Sequence, residues 1–221
     1  MATVMVTGST GGIGKALVAM LKDRGDDVIG VGRDADRIAA VGAQPVVADF
    51  SAPETFADAV PNLDRLDALV HSAGVVTLGH VADTPYHVWL SHLTVNLGAA
   101  AELTRLMLPA LRAGSGHVVF VNSGAGLRAN PNWSAYAASK FGLRALADAL
   151  RAEEGVHGVR VTSVHPGRTA TEMQRSVRQQ EGAEYDPKRY IQAETAARLV
   201  LAALDTPHDA EVTEISVRSR Q

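Results

Sequence analysis

The chain is 221 residues long, carries a formal net charge of −3 and contains no cysteine. That length suits one α/β core with little left for a second domain, and the charge leaves no basic footprint for nucleic acid or an anionic membrane. Without cysteine there are no disulfides, thiol nucleophiles or thiolate metal sites, which agrees with a reducing, cytoplasmic setting.

The opening Met1-Ala2-Thr3-Val4-Met5-Val6 lacks the charged and continuously apolar regions of a signal peptide, and no apolar run is long enough to span a bilayer. From there, β-branched runs alternate with helical patterns, the rhythm of repeated βα units. Strands are predicted at 3–7, 28–31, 45–48, 68–71, 117–122, 159–164 and 212–217. Several, such as Val118-Val119-Phe120-Val121, are apolar without alternation, as in strands that helices cover on both faces. A helix through Ile13, Leu17 and Leu21 stops at Gly25, a long helix covers 88–111, and another covers 134–154. The polar, weakly periodic stretch 168–190 predicts a mobile flap with some helix. The expected fold is a single doubly wound α/β domain over 1–221, with a parallel sheet between two helical layers.

The first predicted strand runs into Thr7-Gly8-Ser9-Thr10-Gly11-Gly12-Ile13-Gly14, and the helix begins inside this motif. Gly8 permits a tight turn, Gly12 allows close approach of the backbone to a pyrophosphate, and Gly14 allows the helix to pack on the strand. Freed amides and the positive helix end then hold an anion. A Walker A loop is excluded, because Ser9 stands where its first glycine belongs and Ala16 replaces the magnesium-binding hydroxyl.

Further along, Tyr136-Ala137-Ala138-Ser139-Lys140 places a phenol and an ammonium four apart on one helix face. A phenol with a pKa of about 10 is a poor base at neutral pH, and a nearby ammonium stabilises its phenolate. Tyr136 is therefore a candidate general acid/base. Asn122-Ser123-Gly124 is not a hydrolase nucleophile elbow, since Val121 occupies the position that requires glycine. His87 and His92 are five apart, on different helix faces, and no cluster offers a metal triad, so no metal is expected.

The Gly-x-x-x-Gly-x-Gly turn, Ser123 thirteen residues before Tyr136, and the Tyr-x-x-x-Lys helix together resemble the short-chain dehydrogenase/reductase family over essentially the whole chain. The resemblance implies a Rossmann-type sheet of about seven parallel strands. It also implies an oxidoreductase that interconverts a ketone or aldehyde and an alcohol. In that family's pattern Ser123, Tyr136 and Lys140 are catalytic, and Asn96 corresponds to an asparagine that holds a water in the proton relay. Lys140 also resembles the family lysine that grips the nicotinamide ribose. Asp49 and Phe50 match an adenine-binding pair. Ser72, Ala73 and Gly74 match small residues beside the adenine ribose, although His71 replaces the usual asparagine before them. Pro166 and Gly167 match a turn against the nicotinamide, with His165 again in place of asparagine. Thr171 matches the threonine that bonds the carboxamide, and Thr10, Ile13 and Thr169 join the same set of cofactor contacts.

At the end of the second strand Gly32 stands where an NAD enzyme keeps an acid, and Arg33 follows where NADP-dependent relatives keep an arginine for the 2′-phosphate. NADP(H) is expected, with NAD(H) as the weaker alternative. Asp34 is placed where it could compete for the Arg33 guanidinium, and Gly11 sits where many NADP-dependent relatives carry a second basic residue. The short 33–49 segment implies a trimmed peripheral helix. Substrate walls are expected from 75–78, 124–127, 130–133 and Met173, and relatives pair through the helices of Asn96 and Tyr136, which implies a homodimer or homotetramer. The reading from another class is an NADP-binding redox sensor or scaffold without turnover. Epimerising relatives with an added C-terminal substrate domain are not expected, since only four residues follow Val217.

Overall fold

The computed structural model describes residues 1–220. Seven strands form one parallel sheet in the order β3-β2-β1-β4-β5-β6-β9. They are β1 (Thr3–Thr7), β2 (Asp27–Gly32), β3 (Gln44–Val47), β4 (Ala68–His71), β5 (His117–Val121), β6 (Arg160–Pro166) and β9 (Glu214–Val217). A separate parallel pair joins β7 (Thr169–Ala170) to β8 (Ile191–Gln192). The helices are α1 (Gly12–Asp23), α2 (Ala35–Ala40), α3 (Phe56–Ala59), α4 (Tyr86–Leu93), α5 (Ala99–Gly114), α6 (Ser134–Glu154), α7 (Glu172–Gln180) and α8 (Ala193–Leu204).

Strand alternation divides the core into two layers. Val4 and Val6 of β1 meet Leu17, Val18 and Leu21 of α1 and Val200 of α8. Between them in sequence, Met5 points the other way, into a layer with Leu103 and Met107 of α5 and Leu143 and Leu150 of α6. Central β5 is buried along its whole length, which explains its unbroken apolar run. Pro45 is tolerated in β3 because that strand lies at the sheet edge, where its missing N–H costs no ladder bond.

The strand order reverses between β1 and β4, so the loops leaving their carboxyl ends diverge and open a crevice. All the glycine-rich and polar motifs after β1, β2, β3, β4, β5 and β6 emerge at that edge.

The helix expected over 88–111 extends over 86–114 and is not uniform: a π turn at Thr94–Gly98 separates α4 from α5, with the Ala99 amide bonding the Thr94 carbonyl. One residue is thereby added to the turn that carries Asn96, and its side chain bonds outside the helix. The peripheral helix α2 has only six residues. Residues 168–190 contain β7, the nine-residue α7 and a 3₁₀ turn at Pro187–Arg189. The Gln180 amide oxygen accepts from Leu78 N at 2.8 Å, and the Arg168 guanidinium grips both oxygens of Glu181 at 2.5 and 2.8 Å. Among the described residues no helix is long and apolar enough to cross a membrane.

Candidate active site

A cavity of about 710 Å³ occupies the crevice, within the range of small-molecule and cofactor sites. Its floor is the glycine turn. Gly8 has φ +66° and Gly12 φ +49°, both in the left-handed region that favours glycine. A Cβ on Gly12 would come within 3.0 Å of Thr171 Cγ2. Thr10 and Ile13 also line the cavity, whereas Gly14 does not. It serves packing, since a Cβ there would lie 2.3 Å from the Gly8 carbonyl oxygen. No side chain caps the start of α1 and no acid lies in its first turn, so its amides and dipole are free for an anion. These features fit a dinucleotide pyrophosphate.

At one end of the cavity lie Gly32, Arg33, Asp49 and Phe50. Asp34 does not compete for Arg33. Its carboxylate accepts from Arg37 N at 3.0 Å and caps α2, as expected of an aspartate just before a helix. That cap also brings Arg37, which the motifs did not single out, to the same cavity as Arg33. The Asp49 carboxyl is held below its ordinary range by the amide and hydroxyl of Ser51, with Arg33 adding a smaller effect.

Thr7 Oγ1 accepts from Ser72 N and Ala73 N at 3.0 and 3.1 Å, which presents 72–74 to the cavity. His71 lies behind them, fully buried. Thr104 Oγ1 donates to Ala100 O and so accepts from His71 Nε2 at 2.9 Å, while the ring stacks on Phe120 at 5.0 Å. Burial, aided by Lys140, pushes the His71 pKa down to about 3. In the asparagine's place it is a neutral brace between β4 and α5.

Ser123, Tyr136 and Lys140 meet at the other end of the same cavity. Ser123 ends β5 in extended conformation, its Oγ accepting from Ala125 N at 3.1 Å and standing near enough to the Tyr136 phenol to lower its pKa. Tyr136 is clamped edge-on by Trp133 and His92, with ring centroids at 5.7 and 6.2 Å. Burial pushes its phenol above the ordinary tyrosine value, and the nearby Ser123 hydroxyl opposes that only in part. Lys140 Nζ stands 5.8 Å from the phenol ring centroid and donates to Val121 O at 3.2 Å. Burial lowers its pKa to about 8. The neighbouring ammonium therefore does not outweigh desolvation, and Tyr136 retains its proton in this state.

Asn96 is buried and does not line the cavity. Its Oδ1 accepts from Val75 N at 2.8 Å, and its Nδ2 donates to Val75 O and Ser139 Oγ, both at 3.0 Å. Both halves of the amide are thus spent on ordering the loop after β4 against α6. Gly74 sits between Asn96 and Lys140, where a Cβ would meet Asn96 Oδ1 at 3.1 Å.

Pro166, Gly167, Thr169 and Thr171 line the wall that leads from β6 to α7. Of the expected substrate walls, Val75, Val76, Trp133 and Met173 line the cavity, but 124–127 do not. Those residues form a 3₁₀ turn pressed against α6, with Ala125 and Gly126 buried. Val95, Val177 and Gln174 line the cavity instead, and the Gln174 Nε2 is buried without a protein acceptor.

The short chain dehydrogenase family matches residues 2–182. The chain belongs to the short-chain dehydrogenase/reductase family. It is 32% identical over 222 residues to an uncharacterized short-chain type dehydrogenase/reductase of Sinorhizobium fredii, covering 96% of this chain and 89% of the relative. Among solved structures, a short chain dehydrogenase from Burkholderia cenocepacia in complex with NADP matches with a TM-score of 0.86 at 28% identity, over 99% of this chain and 88% of that one. An alcohol dehydrogenase from the archaeon Thermococcus sibiricus, complexed with 5-hydroxy-NADP, shares the fold with a TM-score of 0.85 at 22% identity, over 99% and 97% of the two chains. This short-chain dehydrogenase is thus an oxidoreductase of a family whose members use NAD(P) and act on small molecules.

Proposed function

We propose that this short-chain dehydrogenase is NADP(H)-dependent and interconverts a ketone or aldehyde and an alcohol, with Tyr136 as general acid/base. The observation that carries the reading is one continuous cavity with the glycine turn as its floor, Arg33 and Arg37 at one end, and Ser123, Tyr136 and Lys140 at the other. With no acid at Gly32 and Asp34 occupied as a cap, the two arginines suit a 2′-phosphate better than ribose hydroxyls.

A bound nicotinamide dinucleotide supplies or accepts the hydride. In the direction of reduction, Ser123 holds the substrate oxygen by its hydroxyl, and Tyr136 donates the phenolic proton to that oxygen as negative charge builds on it. A phenol that burial keeps protonated is prepared for this direction. The phenolate left behind is stabilised by the Lys140 ammonium, and oxidation of an alcohol runs the same proton back. Asn96 acts as a positioning residue through Val75 and Ser139. The apolar side chains of Val76, Val95, Trp133, Met173 and Val177 favour a substrate with an apolar body.

We also propose one domain in which residues 168–190 form the substrate flap, and a homodimer or homotetramer through α4 and α6. Leu90, Leu93 and Phe141 on those helices are 49%, 40% and 41% exposed, an apolar face that a second copy covers. Light scattering at working concentration tests the assembly, and a monomeric mass rejects it. The activity is tested by following NADPH oxidation across a panel of aldehydes and ketones. Carbonyl-dependent oxidation supports the enzyme, whereas tight NADPH binding with no turnover on any member points to a redox sensor.

A further inference from the structure

Behind Ser123 lies a chain of polar contacts that the catalytic reading does not use. The Ser123 carbonyl accepts from Gly126 N at 2.9 Å and faces His165 Nδ1 at 3.1 Å. A carbonyl only accepts, so the Nδ1 position carries the hydrogen. The His165 side chain is wholly buried, and its Nε2 lies 3.3 Å from Glu214 Oε1, in contact with it but without a hydrogen bond. Glu214 in turn meets Arg144 Nε of α6 at 3.0 Å. The pairing explains the meeting: Ser216 lies opposite His165 in the β6–β9 ladder, so Glu214, two residues earlier, projects on the same face as His165. The edge strand β9 is thereby linked to the end of central β5.

From this geometry we infer that His165 is a positioning residue for Ser123, and that Glu214, anchored by Arg144, sets the angle of its ring. The inference rests on the oxidoreductase reading above. Two donors fix the Ser123 carbonyl, and with it the backbone that presents Oγ to the cavity it shares with Tyr136. An asparagine side chain at this position also carries an N–H donor that can be offered to the Ser123 carbonyl. A histidine also extends the far edge of its ring to β9, where it rests against Glu214. In this chain the last strand therefore takes part in holding the reacting groups.

The test compares His165→Leu, His165→Asn, Glu214→Leu and wild type, measuring kcat, KM and NADPH affinity separately. His165→Leu is expected to lower kcat by about 10- to 100-fold, as a small misplacement of a reacting group does, with NADPH affinity kept. His165→Asn restores kcat to within about threefold, because the donor to Ser123 returns. Glu214→Leu, on a half-exposed edge, lowers kcat by about three- to tenfold and decides the matter if His165→Leu does not fold. An unchanged kcat in Glu214→Leu, or failure of asparagine to rescue, overturns the inference. A crystal structure of Glu214→Leu gives a readout independent of turnover: a turned His165 ring supports the inference, and an unmoved ring with Ser123 in place overturns it. Absence of carbonyl reduction by the wild type would defeat the proposed function, a different result from either.

Discussion

Lys140→Met separates the cost of the site from its use. Lys140 is 4% exposed, and burial alone takes its pKa from 10.5 to about 8. At about 1.4 kcal/mol per decade of proton affinity, the folded protein carries about 3 kcal/mol of penalty for holding the ammonium. Methionine has nearly the same length and no charge, but loses the bond to the Val121 carbonyl, worth about 1 kcal/mol. The net gain at pH 7 is about 2 kcal/mol, which in a domain of this size raises Tm by about 4–8 °C. The pH dependence fixes the sign. Below about pH 8 lysine is charged in both folded and unfolded chains and the full penalty applies. Between about 8 and 10.5 the unfolded chain binds more protons, so wild-type stability from this group rises with pH until the penalty is gone. Melting curves of both proteins from pH 7 to 10 should show the methionine variant ahead at neutral pH, with the gap closing as pH rises. Carbonyl reduction by the variant falls throughout. A variant less stable than wild type at pH 7, or a gap that ignores pH, refutes the argument that desolvation governs Lys140.

Tyr136→Phe should lower turnover by about 10²- to 10⁴-fold while NADPH binding, followed by fluorescence, is retained, since the edge contacts of Trp133 and His92 need only the ring. Unaltered turnover removes the phenol from the mechanism. Arg33→Ala should weaken NADPH by about 10- to 100-fold and leave NADH nearly untouched, and adding Arg37→Ala should deepen the loss. Equal losses for both dinucleotides would defeat the 2′-phosphate assignment. Gly14→Ala places a methyl group 2.3 Å from the Gly8 carbonyl oxygen. It should cost about 1–3 kcal/mol in urea denaturation and abolish the rise in Tm that NADPH confers, whereas a variant stabilised by NADPH like wild type shows that the turn tolerates the shift.

Much of this protein is written locally. The glycine turn is legible because Gly8 and Gly12 are required by their own positive φ, and the Tyr136–Lys140 pair because helical spacing puts both on one buried face. The seven strands stand out as short β-branched runs, and β1, β4 and α6 occupy the ranges their residues predict. The π turn at Thr94–Gly98 has no such signature, because it arises where Asn96 reaches Val75, 21 residues away in sequence. Arg37 reads as one surface arginine among many until Asp34 caps α2 and brings it beside Arg33.

Spacing and side-chain chemistry along the sequence were thus sufficient to mark the strand and helix segments, the glycine turn and the Tyr136–Lys140 pair, since each depends on residues within a few turns of chain. Tertiary structure alone decided the protonation of Tyr136 and Lys140, the neutral bracing of His71, and the line from Arg144 through Glu214 and His165 to Ser123. Desolvation depends on everything packed around a group, and hydrogen bonds between distant strands depend on register. Both quantities come into existence only when the sheet closes over its helices.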